Sequence, residues 1–201
     1  MKTYFSRHSY NATHQLAARF WIPLVAAIVF LGASTSSHAE VEKFATPSAS
    51  GMHLYWWPRV PAVEGWIQDR DASAANSIFA LVPTGQSFQD APTVIYAKAV
   101  FKARVPDLTS LSAFVEDDKK GTLANAPGTT AVSAKPMTDG DGRGLVSLVF
   151  RPRSDGNWEQ VSYLEEGEFY LVFAVSARNE AAFNSARTSY EWLVSHYKEH
   201  P

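Results

Sequence analysis

Two runs constrain this chain more than anything else in it: TVIYAKAVF at Thr93–Phe101 and FYLVFAVSA at Phe169–Ala177. Successive side chains of a strand point to opposite faces of its sheet. In the first run Val94, Tyr96 and Val100 share one face, and Ile95, Ala97, Ala99 and Phe101 share the other. The second run is apolar on both faces as well. A strand without a polar face is buried on both sides, so this chain must build a sheet with a cover on each face.

The first run closes a stretch, Gly65–Lys102, that reads as three strands: Gly65–Asp69, Asn76–Val82 and Thr93–Lys102. Pro83-Thr84-Gly85 and Asp90-Ala91-Pro92 punctuate the loop between the last two. His53–Pro58 is a short strand that Pro58 and Pro61 terminate or confine to an edge. Thr129–Lys135, Leu145–Arg151 and Trp158–Leu164 add further strands, with turns at Asp139–Gly144, Ser154–Asn157 and Gly167. A helix is expected after Pro106, with Asp107 as its N-cap, Leu108, Leu111, Phe114 and Val115 at helical spacing, and Gly121 as its stop. The clearest helix closes the chain. Asn179 caps it, Glu180 suits the positive end of its dipole, and Phe183, Ala186, Tyr190, Leu193, Val194 and Tyr197 form its apolar face. Two helices and about eight mostly antiparallel strands make an α+β fold, an α/β/α sandwich with a central mostly antiparallel sheet. The C-terminal helix packs on one face and the first helix covers the other.

The N-terminal residues carry an address. Lys2, Arg7 and Arg19 precede an apolar run from Phe20 to Ala33, and Ser37-His38-Ala39 fits a signal-peptidase site. Residues 1–39 therefore read as a signal peptide, too short in its apolar part to span a bilayer, which takes ~20 residues. The competing reading is a retained membrane anchor. Residues 40–51, rich in Ser, Ala and Thr, read as a flexible lead-in to a single domain over 52–201. The chain has no cysteine, so disulfides and a lipobox are excluded and the core alone must hold the fold. Without the three basic residues of the signal, 15 basic residues face 20 acidic ones. That acidity argues against a nucleic-acid partner, which needs a basic stripe, and against anionic lipid. After signal cleavage nothing predicts stable membrane insertion.

The sequence has no Gly-Lys-Ser/Thr phosphate loop, no Gly-x-Ser-x-Gly elbow and no cysteine nucleophile. Asp139-Gly-Asp-Gly-Arg-Gly144 suggests a calcium loop, but Arg143 and Phe150 stand where oxygen ligands belong, and a turn is the better reading. Asp69-Arg70-Asp71 pairs two carboxylates on what reads as a solvated loop. His196 and His200 share a helix face at metal-gripping spacing, with His53 the only other histidine outside the signal. Adjacent helical positions splay Ser195 and His196 about 100° apart, which argues against a dyad. No catalytic residue, cofactor or metal site is assigned. Trp192 is more informative, since it lies about 145° around the wheel from the apolar face. Strand alternation sends Trp56 and Trp57 to opposite faces, leaving one of them free to face outward. Trp57, Asp69, Asp71 and Trp192 form the candidate interaction surface.

Two patterns carry a family resemblance. The first is Gly65-Trp66, an acidic gap, then Phe79-x-x-x-Pro83-x-Gly85 before a β run. The second is the closing helix, Phe183-x-x-Ala186-x-x-x-Tyr190-x-x-Leu193-Val194-Ser195-x-Tyr197. Over roughly 65–197 the chain resembles the Mog1/PsbP-like proteins and related bacterial secreted proteins of unknown function. The resemblance implies an α/β/α sandwich and a role in binding or assembly, as in relatives that act on a small GTPase or on a photosynthetic membrane complex. No residue here matches a functional site in those relatives. The expected function is an exported, non-enzymatic binding or assembly factor of the cell envelope with a protein or cell-envelope partner and no cofactor. The alternatives are a carrier that holds a small apolar ligand between sheet and helix, and a hydrolase built on Asp69, Asp71 and a histidine.

Overall fold

The fold is described by a computed structural model over residues 41–48, 51–153 and 156–199. The signal segment, Glu40, Ser154, Asp155 and His200 lie outside the described residues. In chain order come β1 (Val41–Ser48), β2 (Gly51–Pro58), β3 (Trp66–Gln68), α1 (Arg70–Asn76), β4 (Phe79–Pro83) and β5 (Thr93–Phe101). A single 3-10 turn and then α2 (Leu111–Asn125) lead to β6 (Thr130–Ser133), β7 (Met137–Thr138), β8 (Gly144–Arg151), β9 (Trp158–Glu166), β10 (Phe169–Ala177) and α3 (Glu180–His196). Every strand pairing among these residues is antiparallel, in the order β1-β2-β5-β10-β9-β8-β6. The sheet forks at β5: its first half pairs with β4, which carries β3, and its second half meets β2 at Trp56 opposite Ala99.

The two doubly apolar runs become the central neighbours β5 and β10, paired from Thr93–Ala177 to Phe101–Phe169. Alternate residues of β10 divide between two cores. Leu171, Phe173 and Val175 pack with Phe183, Tyr190 and Leu193 of α3. Tyr170, Val172 and Ala174 pack with Phe114 and Val115 of α2. The same face as α2 continues toward α1, where Val94, Ala80 and Ile78 are buried with Phe88. The sandwich expected from the sequence is the observed architecture, with α3 on one face and α2 and α1 on the other.

A chain of buried hydroxyls fastens α3 to the sheet. The Tyr190 hydroxyl lies 2.6 Å from Ser162 Oγ and 3.0 Å from the Phe173 carbonyl, and Ser162 Oγ lies 2.7 Å from Ser147 Oγ. Burial pushes the Tyr190 phenol up from its ordinary pKa. Each hydroxyl in this apolar layer needs its neighbour, because an unpaired buried polar group is costly.

Four expectations are corrected. Where a lead-in is expected, residues 41–48 form a strand, β1, paired residue for residue with β2, and Phe44 places its ring 3.8 Å from that of Trp57. The strand expected from Asn76 begins at Phe79. The residues before it form α1, too short for helical periodicity to show, ended by Ser77 in the left-handed region at φ 56°. Helix α2 is capped by Ser110, whose Oγ accepts from Ala113 N at 3.2 Å, rather than by Asp107. It also runs through Gly121 to Asn125. A helical glycine costs about 1 kcal/mol relative to alanine, and Leu123 beyond it packs against the core under α2. Packing of that one side chain is enough to outweigh the local preference.

Candidate functional site

Helix α3 covers β10, β5 and β9, but its face of the sheet continues past it onto β8 and β6. A cleft of about 190 Å³ lies along that step. Pairing aligns Val132 of β6, Val149 of β8 and Gln160 of β9 in one row across its floor. Trp158 extends the floor and packs on Phe183, their ring centroids 6.1 Å apart. Glu180, Asn184 and Arg187, at helical spacing along the flank of α3, make the wall. Arg151 of β8 and Lys135, just past β6, complete the lining, which thus holds three cations against one carboxylate. Arg187 reaches Glu191 through Nη2 at 3.1 Å, while its Nε is buried and has no hydrogen-bond partner. Neither Arg151 nor Lys135 forms an ion pair among the described residues. Such a site can hold a small acceptor-rich group.

The residues singled out from the sequence do not form one surface. Trp57 is 6% exposed, buried under Phe44 with its edge against Phe79, so it offers no free ring; β1 supplies the cover. Trp56, on the opposite face, is half-buried and packs at a tilt against Phe101, with Arg104 over its ring at 4.3 Å. Asp69 does not sit on a solvated loop. Its Oδ1 accepts from Ala72 N and its Oδ2 from Phe88 N, both at 2.9 Å, so it caps α1 and ties that helix to the following loop. Asp71 is exposed in the first turn of α1, where a carboxylate favours the helix dipole. Trp192 is 39% exposed on the outer side of α3 and stacks on His196 with centroids 4.1 Å apart. Against expectation, Ser195 Oγ and His196 Nδ1 do meet, at 3.2 Å. The histidine ring folds back over Trp192, and both side chains reach the Trp192 carbonyl, so the pair closes the helix C-terminus.

The turn that resembled a calcium loop is organised by an internal cation, Arg143. Its Nε donates to Asp139 at 2.6 Å, one Nη to Glu166 at 2.8 Å and the other to Glu199 at 2.7 Å, with Asp141 3.9 Å away. Asp139 and Glu166 have fully buried side chains. Burial draws the Arg143 pKa down, but hydrogen bonds and charges from Asp139 and Glu166 outweigh this and hold it above its ordinary value. Burial raises the Glu166 carboxyl, only partly offset by Tyr197 and Arg143, which donate to it. The turn also grips the end of α3: Gly140 N donates to the Tyr197 carbonyl at 2.7 Å and Glu199 N to Asp141 at 2.7 Å. A Cβ on Gly140 would stand 2.9 Å from that carbonyl, so only glycine fits the contact. This is a structural latch. On the opposite face Tyr163 donates to Asp118 at 2.7 Å, and burial raises the carboxyl of neighbouring Glu159.

Sequence reasoning missed the cleft. Arg151 and Lys135 read as strand ends, and Arg187 is not singled out; only the sheet order brings them together. Among the described residues no helix is long and apolar enough to cross a membrane. The fold and the cleft define an α+β antiparallel-sheet protein with a small cationic recess beside its last helix. No protein-family model matches the chain, and no curated protein matches its sequence. Among solved structures it is similar to the Ran-binding protein Mog1p of Saccharomyces cerevisiae, at 10% identity, over 75% of this chain and 84% of that one, with a TM-score of 0.39. A likeness that distant carries no argument about this chain.

Proposed function

We propose that this chain is an exported, non-catalytic binding protein of the cell envelope and that the cleft beside α3 holds its ligand. The observation that carries the reading is the cleft itself, a recess beside α3 where Val132, Val149, Gln160 and Trp158 converge with Lys135, Arg151, Glu180, Asn184 and Arg187. Its volume of about 190 Å³ is below the ~300–1,000 Å³ of drug-sized pockets, so the ligand is small or presents one small group. The non-catalytic part is supported by two of the carboxylates that suggested chemistry: Asp69 is engaged as a cap, and Asp139 as a partner of Arg143. Export rests on the signal-like residues 1–39. The Mog1/PsbP-like resemblance agrees with a binding role.

The direct test fills the cleft. Val132 is 41% exposed, so Val132→Trp is expected to fold. Native mass spectrometry of the chain from its own envelope fraction should show a mature N-terminus at Glu40 and a small-molecule mass increment. That increment should vanish in Val132→Trp. A chain without any increment, or one unaffected by the substitution, would sink the reading. A second reading, a protein partner docking on the outer side of α3, is favoured by the exposure of Trp192.

A further inference from the structure

We propose that the latch around Arg143 is a proton-sensitive clasp: a proton held between Glu166 and Tyr197 tightens its grip on the end of α3, and loss of that proton loosens it. This stands apart from the cleft and its ligand. The turn 139–144 and the tail 197–199 bring Asp139, Asp141 and Glu199 to Arg143, and β9 brings Glu166. The one other cation in the turn and tail is Lys198, whose stem lies over Gly140. His196 of α3 is turned onto Trp192, and Glu165 of β9 pairs with Lys102. Asp139 and Glu166 have fully buried side chains and share one guanidinium, so one buried negative charge is left without a cation. An uncompensated buried charge is costly, and uptake of a proton removes it.

The hydrogen bonds choose the carboxylate. Asp139 accepts from Asp141 N at 3.0 Å, Arg143 N at 2.8 Å and Arg143 Nε at 2.6 Å, three donors that cannot turn into acceptors. Glu166 accepts from an Arg143 Nη at 2.8 Å and from the Tyr197 hydroxyl at 2.9 Å. A hydroxyl can donate or accept. Tyr197 donates to ionised Glu166, and protonated Glu166 donates to the Tyr197 oxygen, so the contact survives in both states. Burial raises the Glu166 carboxyl, and the Glu199 charge adds to this, against the lowering by Tyr197 and Arg143. Burial and the Glu166 charge also push the Tyr197 phenol up, so the exchangeable proton belongs to the carboxyl. Opening the clasp breaks the bond from Gly140 N to the Tyr197 carbonyl and lifts the Tyr197 ring off Phe173, 4.9 Å away. Water then reaches Glu166. The closed form therefore binds the proton more tightly than the open form, and the clasp loses stability as pH rises through the closed-form value.

Hydrogen exchange of the full-length chain at pH 5 and pH 7.5, expressed as protection relative to the intrinsic rate at each pH, tests the clasp. On going to pH 7.5, amides of 139–143 and 193–199 should lose at least about threefold more protection than those of β10. Glu166→Gln keeps an acceptor for Arg143 and supplies an N–H for Tyr197. It should remove the difference and stay as protected at pH 7.5 as the wild type is at pH 5. Equal protection at both pH values, or a pH dependence that Glu166→Gln retains, overturns the proposal. A carbon-13 NMR titration of the wild-type Glu166 carboxyl decides the matter without any variant. A midpoint above the ordinary carboxylate range supports the clasp, and one at or below that range overturns it.

Discussion

Replacing Arg143 by methionine should be the most informative single change to the framework of this protein. The guanidinium is 26% exposed, but the Asp139 and Glu166 side chains it neutralises are fully buried. Methionine keeps the stem and leaves two buried carboxylates without their cation. Breaking a buried ion pair on one side costs about 3–5 kcal/mol, and partial exposure of Arg143 puts the loss near the lower end, about 3 kcal/mol. For a chain of this size that corresponds to a fall of about 6–12 °C in melting temperature. The loss must also depend on pH. Burial already raises the Glu166 carboxyl, and without Arg143 it rises further above the unfolded value of about 4.3. Between the unfolded and folded pKa values the folded chain then binds more protons than the unfolded one, so stability falls as pH rises. Each unit of extra shift is worth about 1.4 kcal/mol, so the gap between wild type and Arg143→Met should narrow by about that much or more from pH 7.5 to pH 5. Urea denaturation followed by circular dichroism at both pH values measures it. Adding Glu166→Gln to Arg143→Met should reduce the narrowing, leaving only what buried Asp139 contributes. A loss below about 1 kcal/mol at pH 7.5, or a gap that does not narrow, would refute the account of Arg143 as the internal cation of this turn.

Tyr190→Phe removes the hydroxyl that joins Ser162 to the Phe173 carbonyl; a loss of about 1 kcal/mol is expected, read as a shift in urea midpoint, and an unchanged midpoint would show that the buried hydroxyl chain is not stabilising. Trp192→Ala, at a site 39% exposed, should change stability by less than about 1 kcal/mol. If α3 docks a protein, the same substitution should abolish a cross-link to one defined partner that Trp192→Phe restores; equal cross-linking by both variants removes that reading.

Much of the framework was legible in the residues themselves. Alternation in TVIYAKAVF and FYLVFAVSA dictated a central sheet buried on both faces, because apolar side chains predominate on both sides of each strand. The apolar face of α3 was equally legible, since spacing around a helix depends only on local geometry. Local signals failed where a contact distant in sequence decided the outcome. Residues 41–48 look like a polar leader until β2 offers them a full register of partners. Trp57 looks as free as Trp56 until Phe44 covers it. Gly121 should end α2, and Leu123 finding a core beyond it keeps the helix going.

The same division holds for function. The sequence by itself determined a sheet covered on two faces, the closing helix and the absence of any cysteine chemistry, because these follow from residue type and local period. It could not place Lys135, Arg151, Trp158 and Arg187 in one recess, or join Asp139, Arg143, Glu166 and Glu199 in one latch. Those groupings arise from strand order and from the step where α3 stops short of β8 and β6. They depend on which strands become neighbours, a property of the folded chain as a whole that no stretch of it carries.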